Sequence, residues 1–174
     1  AGVPTGERTN DRDRFFVKGQ LLFKPNDDVS FRIIGDYTKR DESCCSGHYF
    51  STFETFDPTP GSPGDFSIRA NNRVVDIVQS MGGRVDTDAF KREVSITPGR
   101  TLAGHMRDYG VSGELNWDFG GASLTSITSY RDYKSSQAGD VDYGTLDLLY
   151  RNDDGTSYRQ FKTFTQELRL QGSL

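Results

Sequence analysis

The chain has 174 residues, which is the size of one ordinary domain. Only 33% of the residues are hydrophobic, yet 12% are aromatic and 19 are glycine, which argues against a helical bundle and against disorder. The formal net charge of −4 argues against a nucleic-acid partner, because such partners usually require a basic surplus. No apolar run reaches the ~20 residues of a transmembrane helix, and residues 1–16 lack the apolar stretch of a signal peptide.

Apolar and polar residues alternate with period two in five segments, which predicts an all-β fold. The predicted strands lie near residues 13–24, 29–40, 107–119, 122–133 and 158–171. The alternation places Phe31, Ile33, Val111, Leu115, Leu168 and Leu170 on apolar faces, and Arg32, Glu114 and Arg169 on polar faces. The fourth segment is less regular, and Leu124, Thr128 and Tyr130 are assigned to its apolar face.

The connections between the predicted strands alternate in length. Short turns occur at Pro25–Asp28, where Pro, Asn and Asp favour a turn, and around Gly120-Gly121. Two longer segments, 43–107 and 135–157, make the other connections. Loops of this length are uncommon in compact soluble domains and are usually functional.

Strands of this length with one apolar face fit either tilted transmembrane strands or part of a soluble sandwich. Short turns at one end with long loops at the other favour the membrane, as do aromatic residues near strand ends. These aromatics are Phe15, Phe23, Tyr37, Tyr109, Trp117, Phe119 and Tyr130. Five strands cannot close in hydrocarbon, where open edges leave backbone groups unpaired. The sequence therefore predicts an antiparallel up-and-down segment of a larger transmembrane β-barrel, with a sequential strand order.

Several strand motifs resemble those of TonB-dependent outer-membrane receptors, over about half of the chain. The motifs are Asn10–Arg14 followed by Gly19–Phe23, Asp36-Tyr37, Ser126–Arg131 and Thr165–Leu170. The resemblance implies a plugged, 22-stranded barrel in the outer membrane of a Gram-negative bacterium. It also implies import of a siderophore or another large nutrient. The implied partners are the rest of the barrel, the plug, the TonB energy-coupling complex and outer-membrane lipid. The plug is not expected within these residues.

A helix is predicted inside the first long loop. Val74, Val75, Ile77, Val78 and Met81 follow helical spacing before Gly82-Gly83, which predicts a helix near 69–81. A helix this short is marginal alone in water. We therefore expect Val74, Ile77, Val78 and Met81 to pack against the loop aromatics or the barrel rim.

The candidate ligand-binding residues lie in the two long loops. Tyr49, Phe50, Phe53 and Phe56 offer stacking faces for a sugar ring or an aromatic siderophore, and they suit packing of the loop itself equally well. Asp140 and Asp142 offer polar contacts. The acidic cluster from 140 to 154 lacks the spacing of an EF-hand, so no calcium site is predicted.

Cys44 and Cys45 are adjacent, and three states remain open for them: a vicinal disulfide, a pair of reduced thiols, or a metal or haem ligand set, which the missing CxxC spacing disfavours. His48 and His105 flank the long loop and are interpreted as exposed loop residues rather than a metal pair. No metal or other cofactor is predicted.

The charges on the polar faces of the predicted strands have two interpretations. They either form a cross-strand ladder or guide substrate and contact a plug. These residues are Lys18, Arg32, Asp36, Glu114, Glu167 and Arg169.

The chain carries none of the common catalytic motifs, such as GxSxG, HExxH or a P-loop, so it is not expected to be an enzyme. The leading hypothesis is part of a nutrient receptor of the TonB-dependent class. One alternative is a soluble extracellular β-domain that binds glycan or protein through its loops. A passive porin is a third possibility, and it differs by lacking the plug.

Overall fold

The computed structural model describes residues 6–49, 74–86 and 88–172. Its strands are β1 (Arg14–Phe23), β2 (Val29–Ser43), β3 (Ala103–Asp118), β4 (Ala122–Gln137), β5 (Gly139–Asp140), β6 (Tyr150–Arg151) and β7 (Arg159–Gly172). A short α-helix, α1 (Val74–Ser80), and a 3-10 turn at Ala89–Lys91 complete the described elements. Within those ranges, no helix is both long and apolar enough to cross a membrane.

Five strands form one sheet in the order β1-β2-β3-β4-β7, which confirms the predicted all-β class and sequential order. The β1–β2, β3–β4 and β4–β7 pairs are antiparallel. The Asp118 amide donates to the Asp28 carbonyl at 2.8 Å, which places the beginning of β2 beside the end of β3, as antiparallel pairing requires. The two remaining strands, β5 and β6, pair with each other.

Three strands extend further towards the long loops than the sequence predicts. β2 ends at Ser43 rather than 40, β3 begins at Ala103 rather than 107, and β4 ends at Gln137 rather than 133. The added residues are mostly polar on both faces, so the alternation of side chains disappears there. The backbone ladder nevertheless continues, because its hydrogen bonds do not depend on the side chains.

The register of the sheet separates an apolar face from a polar face. Trp117 lies opposite Leu124, which lies opposite Leu170, so three strands contribute to one apolar row. Thr128 and Tyr130 lie on this same face, as predicted. The adjacent row, Asn116 opposite Thr125 opposite Arg169, faces the other way.

The chain divides into two compact units. The sheet unit comprises Arg12–Glu42, Gly104–Gln137 and Asp153–Leu174. The loop unit comprises Ala1–Asp11, Ser43–Ala103 and Ala138–Asn152. Every buried hydrophobic side chain among the described residues belongs to the loop unit: Val75, Val78, Val85, Leu102 and Ala138.

The helix α1 packs only part of its predicted apolar stripe. Val75 and Val78 are buried beside Val85, with Tyr49 and Leu146 against them. Ile77 and Met81 are 48% and 61% exposed, so the prediction that they pack inward is wrong. Because α1 has only seven residues, little more than one pair at spacing i, i+3, here Val75 and Val78, can face the valine cluster. Gly82, at φ 80°, then turns the chain away. Residues 69–73 lie outside the described part of the chain.

Candidate binding site in the loop unit

The first long loop begins at a disulfide between Cys44 and Cys45. Cys45 adopts the left-handed backbone conformation, at φ 82°. Asn10 holds this bend, because its side-chain oxygen accepts from the Cys45 amide at 3.0 Å and its own amide donates to the Ser43 carbonyl at 2.7 Å. The Cys44 amide also donates to the Leu102 carbonyl at 3.0 Å. The cysteine pair therefore lies in a bend that two distant segments of the loop unit hold in place.

Tyr49 is the one aromatic of the predicted stacking set that the structure describes. Its ring packs against the valine cluster around Val78, and its hydroxyl donates to the Asp142 carbonyl at 3.0 Å. The Tyr143 ring lies edge-on to it, with ring centroids 6.4 Å apart. Burial raises the pKa of Tyr49, and the charge of Asp142 adds to this rise. Tyr49 therefore supports the loop core, and only part of its ring remains available for a ligand.

Phe50, Phe53 and Phe56 lie outside the described residues. Their proposed stacking role stays a prediction.

Asp142 is 6% exposed and closes the turn that follows it. Its carboxylate accepts from the amides of Gly144, Leu148 and Leu149 at 3.0, 3.2 and 2.8 Å. This role is structural, because the carboxylate pairs with backbone donors of the turn.

Asp140 is 3% exposed, and only one of its oxygens is used. Oδ2 accepts from the Thr97 amide at 2.7 Å, whereas Oδ1 has no partner among the described residues. Burial raises the pKa of Asp140, and the nearby charge of Asp142 raises it further. Both aspartates thus turn inward, and their burial does not favour the prediction that they contact a ligand directly.

Charged residues that the sequence analysis did not single out form ion pairs within the loop unit. Arg84 pairs with Asp86 at 2.6 Å, and Ser95 also donates to Asp86. Burial opposes ionisation of Asp86, but these two partners outweigh it and hold its pKa below the ordinary value. Arg100 pairs with Asp147 at 2.6 Å and lies 4.3 Å above the Tyr150 ring. No local sequence pattern indicates these contacts, since Arg100 and Asp147 are 47 positions apart.

The surface that the loop unit presents is partly apolar. Phe90 is 96% exposed at the 3-10 turn, whose N-terminus is capped by the Asp88 carboxylate accepting from the Phe90 amide at 3.0 Å. Exposed apolar side chains in the same unit are Ile77, Met81, Val141, Leu148 and Leu149. These side chains have the chemistry to contact an apolar or aromatic ligand. The sequence analysis missed them, because single apolar residues in loops follow no period.

The two histidines have different surroundings. His105 lies on β3 rather than in a loop, which corrects the prediction, and its Nδ1 is 2.8 Å from Oδ1 of Asp41. His48 is half-buried, and its Nδ1 has no partner among the described residues. Across residues 6–49, 74–86 and 88–172, no group of three or more His, Cys, Asp or Glu is arranged to hold a metal ion.

The polar face of the sheet carries cross-strand ion pairs, as the ladder hypothesis expects. Arg32 pairs with Glu114 at 2.5 Å. Arg131, which the sequence analysis did not include, bridges Asp36 on β2 and Asp108 on β3 at 2.8 Å each. Gly110 makes room for this bridge, because a Cβ there would meet the Arg131 guanidinium at 3.0 Å. The charges of this face therefore connect β2, β3 and β4.

Comparison of the chain with protein-family models, with curated proteins and with solved structures finds no match. The function is therefore argued from the residues and their geometry.

Proposed function

We propose that the chain forms part of the barrel wall of a TonB-dependent receptor in a bacterial outer membrane, which imports a siderophore or another large nutrient. The observation that carries this proposal is the apolar face of the sheet. Its large side chains are exposed on four of the five strands, β1, β2, β3 and β7, and they include Leu21, Phe23, Phe31, Ile33, Val111, Trp117, Phe164, Leu168 and Leu170. Soluble monomers rarely expose a continuous apolar surface of this size. Hydrocarbon would cover it without any further protein layer.

The height of the apolar face also fits a membrane. On β3 the side chains of this face between Arg107 and the short turn run from Tyr109 to Trp117, eight residues further on. At ~3.4 Å per residue this is about 27 Å, and a tilt of ~40° reduces it to about 21 Å. The apolar band of outer-membrane barrels is ~25 Å tall. Trp117 and Phe119, with ring centroids 4.5 Å apart, would then lie at the interface on the side of the short turns.

The two edge strands of the sheet would need partners in a membrane, so the sheet would be part of a larger barrel. Among the described strands, β1 pairs only with β2, and β7 pairs only with β4. An unpaired backbone group in hydrocarbon costs several kcal/mol, so both edges would need further strands. In this arrangement the short turns face the periplasm, and the segments 43–107 and 135–157 face outside, where they would meet the nutrient.

The alternative of a soluble extracellular β-domain finds less support. Such a domain would need a second layer over the apolar face. Among the described residues the loop unit has its own small core of Val75, Val78 and Val85, and Tyr49 and Leu146 pack against it. Glycan or protein binding by the loops remains compatible with either environment, so the environment of the sheet is the discriminating question.

The test uses the complete polypeptide that carries this sequence, expressed in a Gram-negative host. We expect it in the outer-membrane fraction, with a band whose gel mobility changes on heating, as folded barrels show. We further expect uptake of its nutrient to stop when the TonB protein of the host is deleted. A monodisperse, detergent-free product would contradict the membrane environment, and uptake that persists without TonB would contradict the receptor class.

A further inference from the structure

Four basic residues lie together on the apolar face of the sheet, at the end where the long connections leave it. They are Lys39 on β2, Arg107 on β3, Lys134 on β4 and Lys162 on β7, and we call them the basic belt. The register fixes their face. Lys39 lies opposite Phe15, Arg107 opposite Lys134, and Lys162 opposite Asp132. The aromatic rings of Tyr109, Tyr130 and Phe164 follow on this same face towards the middle of the sheet.

Arg107 and Lys134 form a like-charge pair directly across the ladder. Such a pair destabilises a sheet unless something neutralises it. The sheet contains a second example that is neutralised: Arg14 lies opposite Arg40, and Glu42 pairs with both. Arg107 and Lys134 make no ion pair with any described carboxylate. They lie instead over aromatic rings, 5.7 Å from the Tyr109 centroid and 4.0 Å from the Tyr158 centroid.

Three carboxylates on this part of the face already have partners. Asp153 lies 3.7 Å from Nε2 of His105 and accepts from the Ser136 hydroxyl at 3.2 Å. Asp41 pairs with Lys39 at 2.5 Å and with His105 at 2.8 Å. Asp132 is buried, accepts from Gln160 at 3.0 Å and from the Tyr109 hydroxyl at 3.3 Å, and lies 3.9 Å from the Lys162 ammonium. Arg107 interacts with Asp132 only at longer range, and neither Arg107 nor Lys134 forms an ion pair with a described carboxylate.

A shallow cleft lies at this place in the sheet. Its lining is Lys39, Asp41, His105, Met106, Arg107, Lys134, Ser135 and Ser136. Arg107 and Lys134 are the cations there that can bind the oxygens of a phosphate without breaking an ion pair of the described residues. The cleft opens on the apolar face, so an anion bound there would have aromatic and aliphatic side chains next to it.

We propose that the basic belt binds the phosphate groups of a phosphorylated lipid in the membrane leaflet at the loop end of the sheet. This inference rests on the proposed function, which places the apolar face in lipid. The belt then lies at the level of the headgroups, and the rings of Tyr109, Tyr130 and Phe164 lie beside the upper acyl chains. Free phosphate shares the charge but would make no use of these rings.

The test uses the complete protein refolded in neutral detergent micelles and native mass spectrometry with two added lipids. One lipid carries a phosphomonoester, and the other is the same lipid after removal of that phosphate. The test variant is Arg107→Gln with Lys134→Gln. The matched control is Lys18→Gln with Arg159→Gln, because it removes one lysine and one arginine from the opposite face, at positions across from Asp36 and Ser135.

We expect the wild type to prefer the phosphorylated lipid, and the test variant to lose about 25-fold in its affinity, or roughly fivefold for each cation removed. The control variant should stay within about twofold of the wild type. An unchanged test variant, an equal loss in the control, or no preference in the wild type would overturn the inference. Inorganic phosphate that competes at the same concentration as the lipid would also overturn it, since the site would then recognise a free anion.

The same samples separate this inference from the proposed function. A heat-modifiable band without lipid preference would refute the basic belt alone. The absence of any folded band in detergent, with a soluble monomer in plain buffer, would refute the proposed function and the lipid inference together.

Discussion

Replacing Ile33 by arginine tests the environment of the apolar face most directly. Ile33 lies opposite Leu21 and is 39% exposed in the isolated sheet. It lies five residues beyond Asp28, the last residue of the first turn. With a rise of ~3.4 Å and a tilt of ~40°, this places it about 13 Å deep, near the middle of a ~25 Å apolar band.

The two possible environments predict different costs for this change. In lipid, Ile33→Arg should lower the free energy of unfolding by ~2–4 kcal/mol, or about 30- to 900-fold in the folding equilibrium. In water, an exposed position of this kind should change by no more than ~0.5 kcal/mol. The neighbouring Ile34 is the control, because it lies opposite Gln20 on the polar face. We expect Ile34→Arg to cost about 1 kcal/mol or less.

The assay is urea unfolding of the complete protein in lipid vesicles, followed by the heat-modifiable band on a gel. Equal costs for Ile33→Arg and Ile34→Arg would show that the two faces are not distinguished by lipid and water. A cost near zero for Ile33→Arg would refute the membrane assignment of this face.

Three further predictions concern the loop unit and the polar face. Asp140→Asn should increase the protection of loop amides from hydrogen exchange at neutral pH, because the raised pKa of Asp140 means that its charge destabilises the folded loop. The exchange rates of the wild type should approach those of this variant as the pH falls through that raised pKa. Equal exchange in the two proteins at all pH values would contradict the assignment. Asp86→Asn should have the opposite effect on hydrogen exchange, because the lowered pKa of Asp86 means that its charge stabilises the folded loop. The variant should lose amide protection relative to the wild type above the ordinary aspartate pKa of about 3.9. Deletion of residues 46–100 should abolish nutrient uptake while the heat-modifiable band persists, and normal growth of this variant on its nutrient would show that recognition lies elsewhere. Arg131→Gln should lower the free energy of unfolding by about 1 kcal/mol, measured as a lower urea midpoint. Arg169→Gln should have almost no effect, because its ion pair among the described residues is with Glu167 on its own strand and does not connect two strands.

The sheet was predictable from the sequence because its pattern is local. The alternation from Val29 to Tyr37 assigns each side chain to a face, and the register confirms that Phe31 and Ile33 lie on the opposite side from Arg32. The strand ends were less predictable. Between Ala103 and Arg107 the small residues Ala103 and Gly104 remove the alternation, and between Lys134 and Gln137 polar residues do so, although the backbone pairing continues.

The loop unit was much less predictable, because its contacts join distant segments. The Thr97 amide meets Asp140 from 43 positions away, and the Tyr49 hydroxyl meets the Asp142 carbonyl from 93 positions away. An aspartate in a polar loop is ordinarily exposed, so the sequence favoured ligand contact for Asp140 and Asp142. Only the folded arrangement assigns their carboxylates to backbone amides of the loop interior.

The two units differ in their buried apolar side chains. In the loop unit, Val75, Val78 and Val85 form a buried cluster, as water favours. In the sheet unit, Leu168 is 69% exposed, whereas the carboxylates of Asp36 and Asp108 on the polar face are 18% and 23% exposed. Water would penalise the exposed apolar face of the sheet for the same reason that it stabilises the valine core. The proposed membrane position accounts for both features, because it puts lipid against one face of the sheet and water around the ion pairs of the polar face.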